Sequence, residues 1–268
     1  MLHAVVVGVD GSARSAAAAR WAAREARLRG LPLQSVHVSP KGGPPVSTRV
    51  QAQLMACPDA PADGAVPVGD VVPKLLSLGE HAGLVVIGVR GAGGYAGLRL
   101  GSVAHGVATR CTVPVVLVPL RPELHDLRHR PDKVTVGIDA RDPADAALDF
   151  ALHTAGLRGA RLHVLHAWSL PPFAMASLPF AVPEKDRASW EDQEVQTLAD
   201  VLRPWREKYP EVRMLPDVFL GPAASDALLR NSENAEVLVV GRRRRGRLGR
   251  TVRALIEHSR CPVIVVPS

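Results

Sequence analysis

The chain of 268 residues is long enough for two domains, each with its own hydrophobic core. Hydrophobic residues make up 47% of it but aromatic residues only 4%, a composition typical of helices packed closely on a parallel β-sheet. The net charge of +7 does not by itself indicate a nucleic-acid-binding protein, because seven arginines lie between Arg242 and Arg253 and the rest of the chain is nearly balanced.

The cysteines and apolar runs exclude further classes. Cys57, Cys111 and Cys261 form no Cys-x-x-Cys pair and are odd in number, so neither a disulfide framework nor a zinc knuckle is indicated. Apolar runs such as 113–120 are too short to span a bilayer, and the N-terminus has no basic region or cleavage site. The sequence therefore predicts a cytoplasmic protein with no membrane partner.

The first half of the chain begins with a predicted strand–helix–strand unit. An apolar run from Val5 ends at Asp10, an alanine-rich helix follows, and Gly30 stands where helices commonly end in a left-handed glycine cap. Another apolar run leads to Val38, and this order predicts parallel strands joined by a right-handed crossover. The further elements predicted in this half are helices over 48–55 and 71–81 and strands over 84–87 and 115–118.

A glycine-rich segment directly after the strand over 84–87 is the most informative motif. Gly88, Gly91, Gly101 and Ser102 have the spacing Gly-x2-Gly-x9-Gly-Ser. Glycine lets the backbone approach a ligand closely, and a helix that begins at Gly101-Ser102 turns its unpaired amides and its dipole toward an anion. The motif therefore predicts a phosphate-binding loop.

Asp10 is the expected partner of this loop. If the strands that end at Asp10 and Gly88 are neighbours, the carboxylate faces the same crevice and accepts hydrogen bonds from ribose hydroxyls or an adenine amino group. Arg90 and Arg99 are available to supply positive charge near this loop. The plain alternatives are a simple glycine turn and an aspartate that only caps a helix.

The chain contains an internal repeat. Residues 5–37 align without a gap with residues 134–166, and 13 of the 33 positions are identical. The shared residues include an aspartate, a glycine and a histidine: Asp10 with Asp139, Gly30 with Gly159, and His37 with His166. Duplication explains this similarity. The predicted domains cover 1–120 and 133–268, with a linker of charged residues and prolines over 121–132.

The second copy predicts matching elements and one addition. Asp142 and Pro143 are expected to supply the N-cap and first residue of its first helix. The other predicted elements are strands over 162–167, 237–240 and 263–266 and helices over 185–208 and 223–231, of which the helix over 185–208 is the addition. His163 and His166 point to opposite faces of a strand, so no metal site is predicted.

The glycine motif is altered in the second copy. The alignment places Gly241 with Gly88, Arg244 with Gly91, and Arg250-Thr251 with Gly101-Ser102. Side chains at these positions are expected to block the same nucleotide pose, which leaves a solvated basic loop. Alternatively, the arginines hold phosphate from a greater distance through forked hydrogen bonds. Nucleic acid is disfavoured as a partner because no aromatic residues interleave the arginines.

Together these features resemble the universal stress protein family in its tandem form. The resemblance rests on Val-Gly-Val-Asp-Gly-Ser at 7–12, Ser-Val-His-Val at 35–38 and the glycine motif, which matches the Gly-x2-Gly-x9-Gly-(Ser/Thr) motif of ATP-binding members. It implies an α/β fold of two tandem Rossmann-like domains of the adenine nucleotide alpha hydrolase-like type. Each would be an open five-stranded parallel sheet of order 3-2-1-4-5 with helices on both faces.

The resemblance also implies a ligand, ATP with or without Mg²⁺, bound in the first domain. The implied nucleoside contacts are Val9, Asp10 and Val38, and the implied phosphate contacts are Gly88, Arg90, Gly91, Gly101, Ser102 and Val103. No catalytic residue and no metal ligand is implied. Family members act in stress, dormancy or energy sensing and pair domain on domain through the last strand, so intramolecular domain pairing and a homodimer are expected.

Three functions follow from this sequence as hypotheses. The leading one is an ATP-binding sensor or regulator. A slow ATPase using the same pocket is an alternative, although the sequence offers no clear general base and no Mg²⁺ carboxylate beyond Asp10. The remaining alternative is an interaction module that binds no nucleotide.

Overall fold

A computed structural model of the chain describes residues 3–42, 45–55, 66–91, 100–120, 132–170, 184–243 and 247–268. Within these residues, nine β-strands form one sheet and eight α-helices flank it. The predicted linker, apart from its last residue, and Cys57 lie outside the described residues.

The N-terminal half contains four strands and four helices among its described residues. They are β1 (Ala4–Gly8), α1 (Ala13–Arg29), β2 (Leu33–Val36), α2 (Thr48–Met55), α3 (Val71–Gly79), β3 (Ala82–Gly88), α4 (Ser102–Arg110) and β4 (Val115–Val118). The C-terminal half contains β5 (Lys133–Ile138), α5 (Asp145–Arg158), β6 (Arg161–Trp168), α6 (Glu184–Lys208), β7 (Met214–Leu220), α7 (Ala224–Asn231), β8 (Val237–Arg242), α8 (Arg250–His258) and β9 (Val263–Pro267). The predicted elements are present, with small shifts at their ends.

The strands follow the order β2-β1-β3-β4-β9-β8-β5-β6-β7. The C-terminal half thus has the complete predicted order 3-2-1-4-5, with parallel pairing throughout. In the N-terminal half, the described counterpart of the third strand is a single parallel bridge between Ser39 and Val68. The predicted α/β class is confirmed.

The two halves meet at the last strand of each. β4 pairs antiparallel with β9, and Val116 lies opposite Ile264. Both strands are buried along their lengths apart from Pro267, so each covers an edge that the other would expose to solvent.

Helices cover both faces of the sheet. One core contains residues of α1, α2, α5 and α6, with Trp21, Leu148 and Leu202 among its larger side chains. The other contains residues of α3, α4, α7 and α8, with Leu75 and Leu255 among its buried members. This arrangement explains the apolar strands of the sequence, because strands buried on both faces do not alternate with polar residues.

A buried ion cluster links α1 to α5. The Glu25 carboxylate is 1% exposed and accepts hydrogen bonds from Arg29, at 2.6 Å to Nε, and from Arg158. Arg29 also donates to Thr154 Oγ1 at 2.8 Å. Thr154 is the repeat counterpart of Glu25, so the two halves contribute different side chains to a shared contact.

The ends of the first helix in each half show one confirmed prediction and one wrong prediction. Gly30 and Gly159 adopt left-handed φ values of 63° and 59° and cap α1 and α5, as expected. The predicted start of α5 at Asp142-Pro143 is wrong, because the helix begins at Asp145. Asp142 instead forms an ion pair with Arg243 at 3.0 Å.

The described residues lack two features, a membrane-spanning helix and a cluster of metal-ligating side chains. No helix there has the length and apolarity needed to cross a membrane. In the same part of the chain, no group of three or more His, Cys, Asp or Glu side chains is arranged to hold a metal ion.

Candidate functional site

The N-terminal cavity lies where the direction of the strand connections reverses. β1 pairs with β2 on one side and with β3 on the other, so Asp10 and Gly88 follow the carboxyl ends of neighbouring strands. Open parallel sheets bind ligands in the crevice at such a point. The expected adjacency of the two strands is confirmed.

A tight turn fixes the orientation of the Asp10 carboxylate. The Ser12 N–H donates to Asp10 Oδ1 at 3.0 Å, and Ser12 in turn caps α1 by accepting a hydrogen bond from the Ser15 N–H. Gly11 between them has a φ of 80°, a value that other residues rarely adopt. Local sequence chemistry therefore sets this acid beside the glycine loop.

Gly91 and Gly101 have different reasons to lack side chains. A Cβ at Gly91 would lie 2.5 Å from Asp10 Oδ2, so a side chain there would displace the carboxylate. The Gly101 N–H donates to Val89 O at 2.9 Å, which returns the chain to the end of β3. A Cβ at Gly101 would lie 3.3 Å from the backbone of Arg90 and of Val89, closer than most such contacts.

The first turn of α4 completes the cavity on the side of the glycine loop. Gly101 is the N-cap residue in extended conformation, and no side chain caps the helix. The first amides of an α-helix have no partner within it, and the helix dipole places positive charge there. Ser102 and Val103 therefore present donors to the cavity.

All nine residues predicted for the site line this one cavity of about 360 Å³. They are Val9, Asp10, Val38, Gly88, Arg90, Gly91, Gly101, Ser102 and Val103. The volume is within the roughly 300–1,000 Å³ of small-molecule sites. Arg99, which the sequence offered as a further charge, lies outside the described residues.

Other lining residues were missed by the sequence-based site prediction. Ser15 and His37 are polar, and Val71 and Leu75 come from α3. The His37 ring donates from Nδ1 to Val9 O at 2.8 Å, which links β2 to β1 at the cavity. The repeat could have indicated His37, because it is identical in both copies, but its direction toward the cavity depends on strand pairing.

The C-terminal half has a cavity at the corresponding point, with a volume of about 560 Å³. Its lining includes Asp139 and the arginines Arg242, Arg243, Arg247 and Arg250. Arg244, the predicted counterpart of Gly91, lies outside the described residues.

The structure corrects the alignment of the second glycine motif. Gly249, in extended conformation, is the N-cap of α8, just as Gly101 is the N-cap of α4. The interval from the start of this helix to the start of the next strand is the same in both halves, 102 to 115 and 250 to 263. Gly249 therefore corresponds to Gly101, and Arg250 replaces Ser102, so the predicted placement of Arg250-Thr251 was one residue off. The segment between the strand and the helix differs in length between the two halves, so the sequence alignment did not find this match.

Asp139 makes the same turn as Asp10 but has a different neighbour. Its Oδ1 accepts from the Arg141 N–H at 3.1 Å, while its Oδ2 lies 3.4 Å from an Arg243 guanidinium nitrogen. Arg243 also pairs with Asp142. In the C-terminal half the acid at this position is thus paired with an arginine.

The sheet order and the cavity at its switch point define a doubly wound α/β protein with a cavity where such sheets commonly bind ligands. The crystal structure of a universal stress protein from Archaeoglobus fulgidus has the same fold, with a TM-score of 0.67, 21% identity and coverage of 98% of both chains.

Sequence comparisons identify the family. The model of the universal stress protein family matches residues 1–55, 74–119 and 131–267. The chain is 32% identical to Universal stress protein Rv1996 of Mycobacterium tuberculosis, covering 97% of this chain and 94% of that protein. It is also 32% identical to Universal stress protein Rv2623 of that species, with coverage of 97% and 95%. The chain belongs to the universal stress protein family, which confirms the resemblance.

Proposed function

We propose that the chain binds ATP in its N-terminal cavity and acts as a nucleotide-responsive sensor or regulator in stress or dormancy. The observation that carries this proposal is the convergence of all nine predicted residues on one cavity at the switch point of the sheet. Chance turns in unrelated parts of the chain would not meet there.

The inner part of the cavity fits a nucleoside. Val9 and Val38 are buried at 5% and 6% exposure and offer apolar surface to a base. Leu75 and Ile87 extend this surface. The Asp10 carboxylate supplies the hydrogen-bond acceptor that ribose hydroxyls require.

The outer part fits phosphate. Gly91 permits close approach to the backbone, and the first turn of α4 adds amide donors and a positive dipole. Arg90 adds a cation to the lining. No group of metal-ligating side chains is present in the described residues, so any Mg²⁺ would be held chiefly by the phosphates and Asp10.

The proposal includes the organisation of the chain. Two domains over 1–120 and 133–268 pair within the molecule, and the antiparallel contact of β4 with β9 supports this pairing. We also infer a cytoplasmic location, from the composition and cysteine pattern, and a homodimer in solution, which light scattering tests by its mass.

Calorimetric titration of the full chain with ATP tests the site. Asp10→Ala removes one charged acceptor, which is worth about 1.5–3 kcal/mol, and we expect Kd to rise roughly tenfold to hundredfold. Gly91→Val should have a similar effect because its side chain would occupy the position of Asp10 Oδ2.

The matched control is Asp139→Ala, which removes the same turn hydrogen bond in the other half. ATP binding at the N-terminal cavity should be unchanged in it. Equal binding by wild type and both N-terminal variants would refute the site. Phosphate release by wild type well above that of Asp10→Ala would identify a slow ATPase in place of a sensor.

A further inference from the structure

We propose that the C-terminal cavity is a binding site for an oligophosphate chain, recognised by Arg247 and Arg250 rather than by a nucleoside pocket. The proposal does not rest on nucleotide binding in the N-terminal half. It starts from the charge of the two cavities. Among the described residues, four arginines and one aspartate line the C-terminal cavity, whereas one arginine and one aspartate line the N-terminal cavity.

Two of these four arginines, Arg242 and Arg243, bind other groups of the protein. Arg242 is 6% exposed and donates to the carbonyl oxygens of Ala108 and Cys111, at 2.8 and 2.6 Å, at the end of α4 in the other half. Arg243 is paired with Asp139 and Asp142. These two side chains shape the cavity and neutralise its acid.

Arg247 and Arg250 differ from these two arginines in their exposure and in their neighbours. Both line the cavity and both are exposed to solvent. Neither lies within 4.0 Å of an acidic oxygen in the described part of the chain. Two arginines that line one cavity, with no acidic partner among the described residues, are suited to the forked recognition of phosphate oxygens.

The backbone supports the same ligand. Gly249 caps α8 with no side-chain hydrogen bond, and Arg250, Thr251 and Val252 of the first turn line the cavity. A cation in the first turn of a helix opposes the helix dipole, so Arg250 occupies a position that an anion would make favourable. The cavity therefore combines amide donors, a hydroxyl and two cations.

The nucleoside side of this cavity is altered. Asp139 is paired with Arg243, which occupies one of the carboxylate oxygens that ribose hydroxyls would use. His166, the counterpart of His37, does not line the cavity: its Nδ1 accepts from the Ala140 N–H at 3.2 Å and its Nε2 donates to Glu194 at 3.1 Å. These changes favour the phosphate chain as the recognised group, from an inorganic oligophosphate or from a nucleotide.

The test is calorimetric titration of the full chain with inorganic tripolyphosphate at low ionic strength. The double variant Arg247→Ala with Arg250→Ser removes the two cations and restores serine, as at position 102. We expect its affinity to fall at least about tenfold. Arg253→Ala is the matched control, because it removes the same charge from α8 but its side chain pairs with Glu257 and does not line the cavity.

A second titration separates the sources of the phosphate chain. In an Asp10→Ala chain, which weakens the ATP affinity of the N-terminal cavity, tripolyphosphate binding should persist with the same dependence on Arg247 and Arg250. ATP that binds this chain with the same dependence on Arg247 and Arg250 would identify nucleotides as a source, and tripolyphosphate binding alone would identify inorganic chains. The proposal is overturned if tripolyphosphate does not bind, binds the double variant equally, weakens equally in Arg253→Ala, or is lost in Asp10→Ala. It is also overturned if only ATP binds the C-terminal cavity.

Discussion

The two halves of the chain place a cavity at corresponding points of the sheet, yet the described residues that line the two cavities differ in charge. Asp10 faces the backbone of Gly91, whereas Asp139 faces the guanidinium of Arg243. Gly101 and Gly249 both begin a helix, but Ser102 follows one and Arg250 the other. The comparison teaches that the strand order fixes where a ligand can bind, while a few residues after the strands set the charge that it meets.

The largest expected effect is on the free energy of unfolding and comes from the contact between the halves. There Glu25 of the first half has Thr154 as its repeat counterpart in the second half. Glu25→Ala would leave Arg29 buried without its acid, and Arg158 with only Glu236, which lies 3.5 Å from the Arg158 Nε. We expect the free energy of unfolding to fall by about 3–5 kcal/mol, measured by chemical denaturation.

Two variants sharpen this test. Glu233→Ala breaks a half-exposed pair with Arg260 and should cost only about 0–1 kcal/mol. Glu25→Thr combined with Thr154→Glu moves the acid to the other half and should recover part of the loss, since Arg29 already contacts Thr154. A loss in Glu25→Ala no larger than in Glu233→Ala would contradict the role of the cluster.

A smaller effect separates the two helix-capping glycines. A Cβ at Gly101 would crowd the backbone of Arg90 and Val89 at 3.3 Å, whereas a Cβ at Gly249 has no neighbour within 4 Å. Overpacking costs about 1–3 kcal/mol, so Gly101→Ala should weaken ATP binding roughly tenfold in calorimetry. Gly249→Ala should leave ATP affinity at the N-terminal cavity unchanged, and equal losses of ATP affinity in the two variants would contradict a specific role of Gly101.

Exchanging the first residues of α4 and α8, Ser102 and Arg250, should change the free energy of unfolding in opposite directions. Arg250→Ser removes a cation from the positive end of α8, and we expect a gain of about 0.3–1 kcal/mol in the free energy of unfolding at low ionic strength. Ser102→Arg should cost a similar amount in α4. Both shifts should shrink in high salt, and a shift that persists there would indicate a packing effect instead.

The smallest effect is a pH dependence specific to the C-terminal half. Burial, with a smaller contribution from Lys133, lowers the pKa of His163 below its ordinary value of 6.5, although the hydrogen bond to Asp217 opposes this. The unfolded chain therefore binds more protons than the folded chain below pH 6.5, and the free energy of unfolding falls as pH falls through that range. Above pH 6.5, where the His163 ring is neutral in the folded and the unfolded chain alike, the free energy of unfolding no longer depends on its protonation.

His163→Gln introduces the residue that the first half has at the corresponding position, Gln34. Urea denaturation from pH 7.5 down to about pH 5 should show a flatter decline in this variant than in wild type. An identical slope would exclude His163 as its source.

The sequence alone predicted the duplication, the α/β class, both glycine caps and nine of the residues that line the N-terminal cavity. These features depend on short-range information: apolar runs, glycine positions and a motif that directly follows a strand. Asp10 and the glycine loop met because the order of parallel strands restricts which strand ends are neighbours.

Tertiary structure alone decided the partners of the charged side chains. Nothing local indicates that Arg243 reaches Asp139 across 104 positions of sequence, or that Glu25 binds an arginine of the other half. The equivalence of Gly249 and Gly101 was also hidden, because loop length changed while the helix start did not. Local propensity and motif spacing can be predicted from the sequence, because they depend on residues close together in the chain. Which distant side chains become partners depends on the tertiary structure, because only folding brings them within a few ångströms of one another.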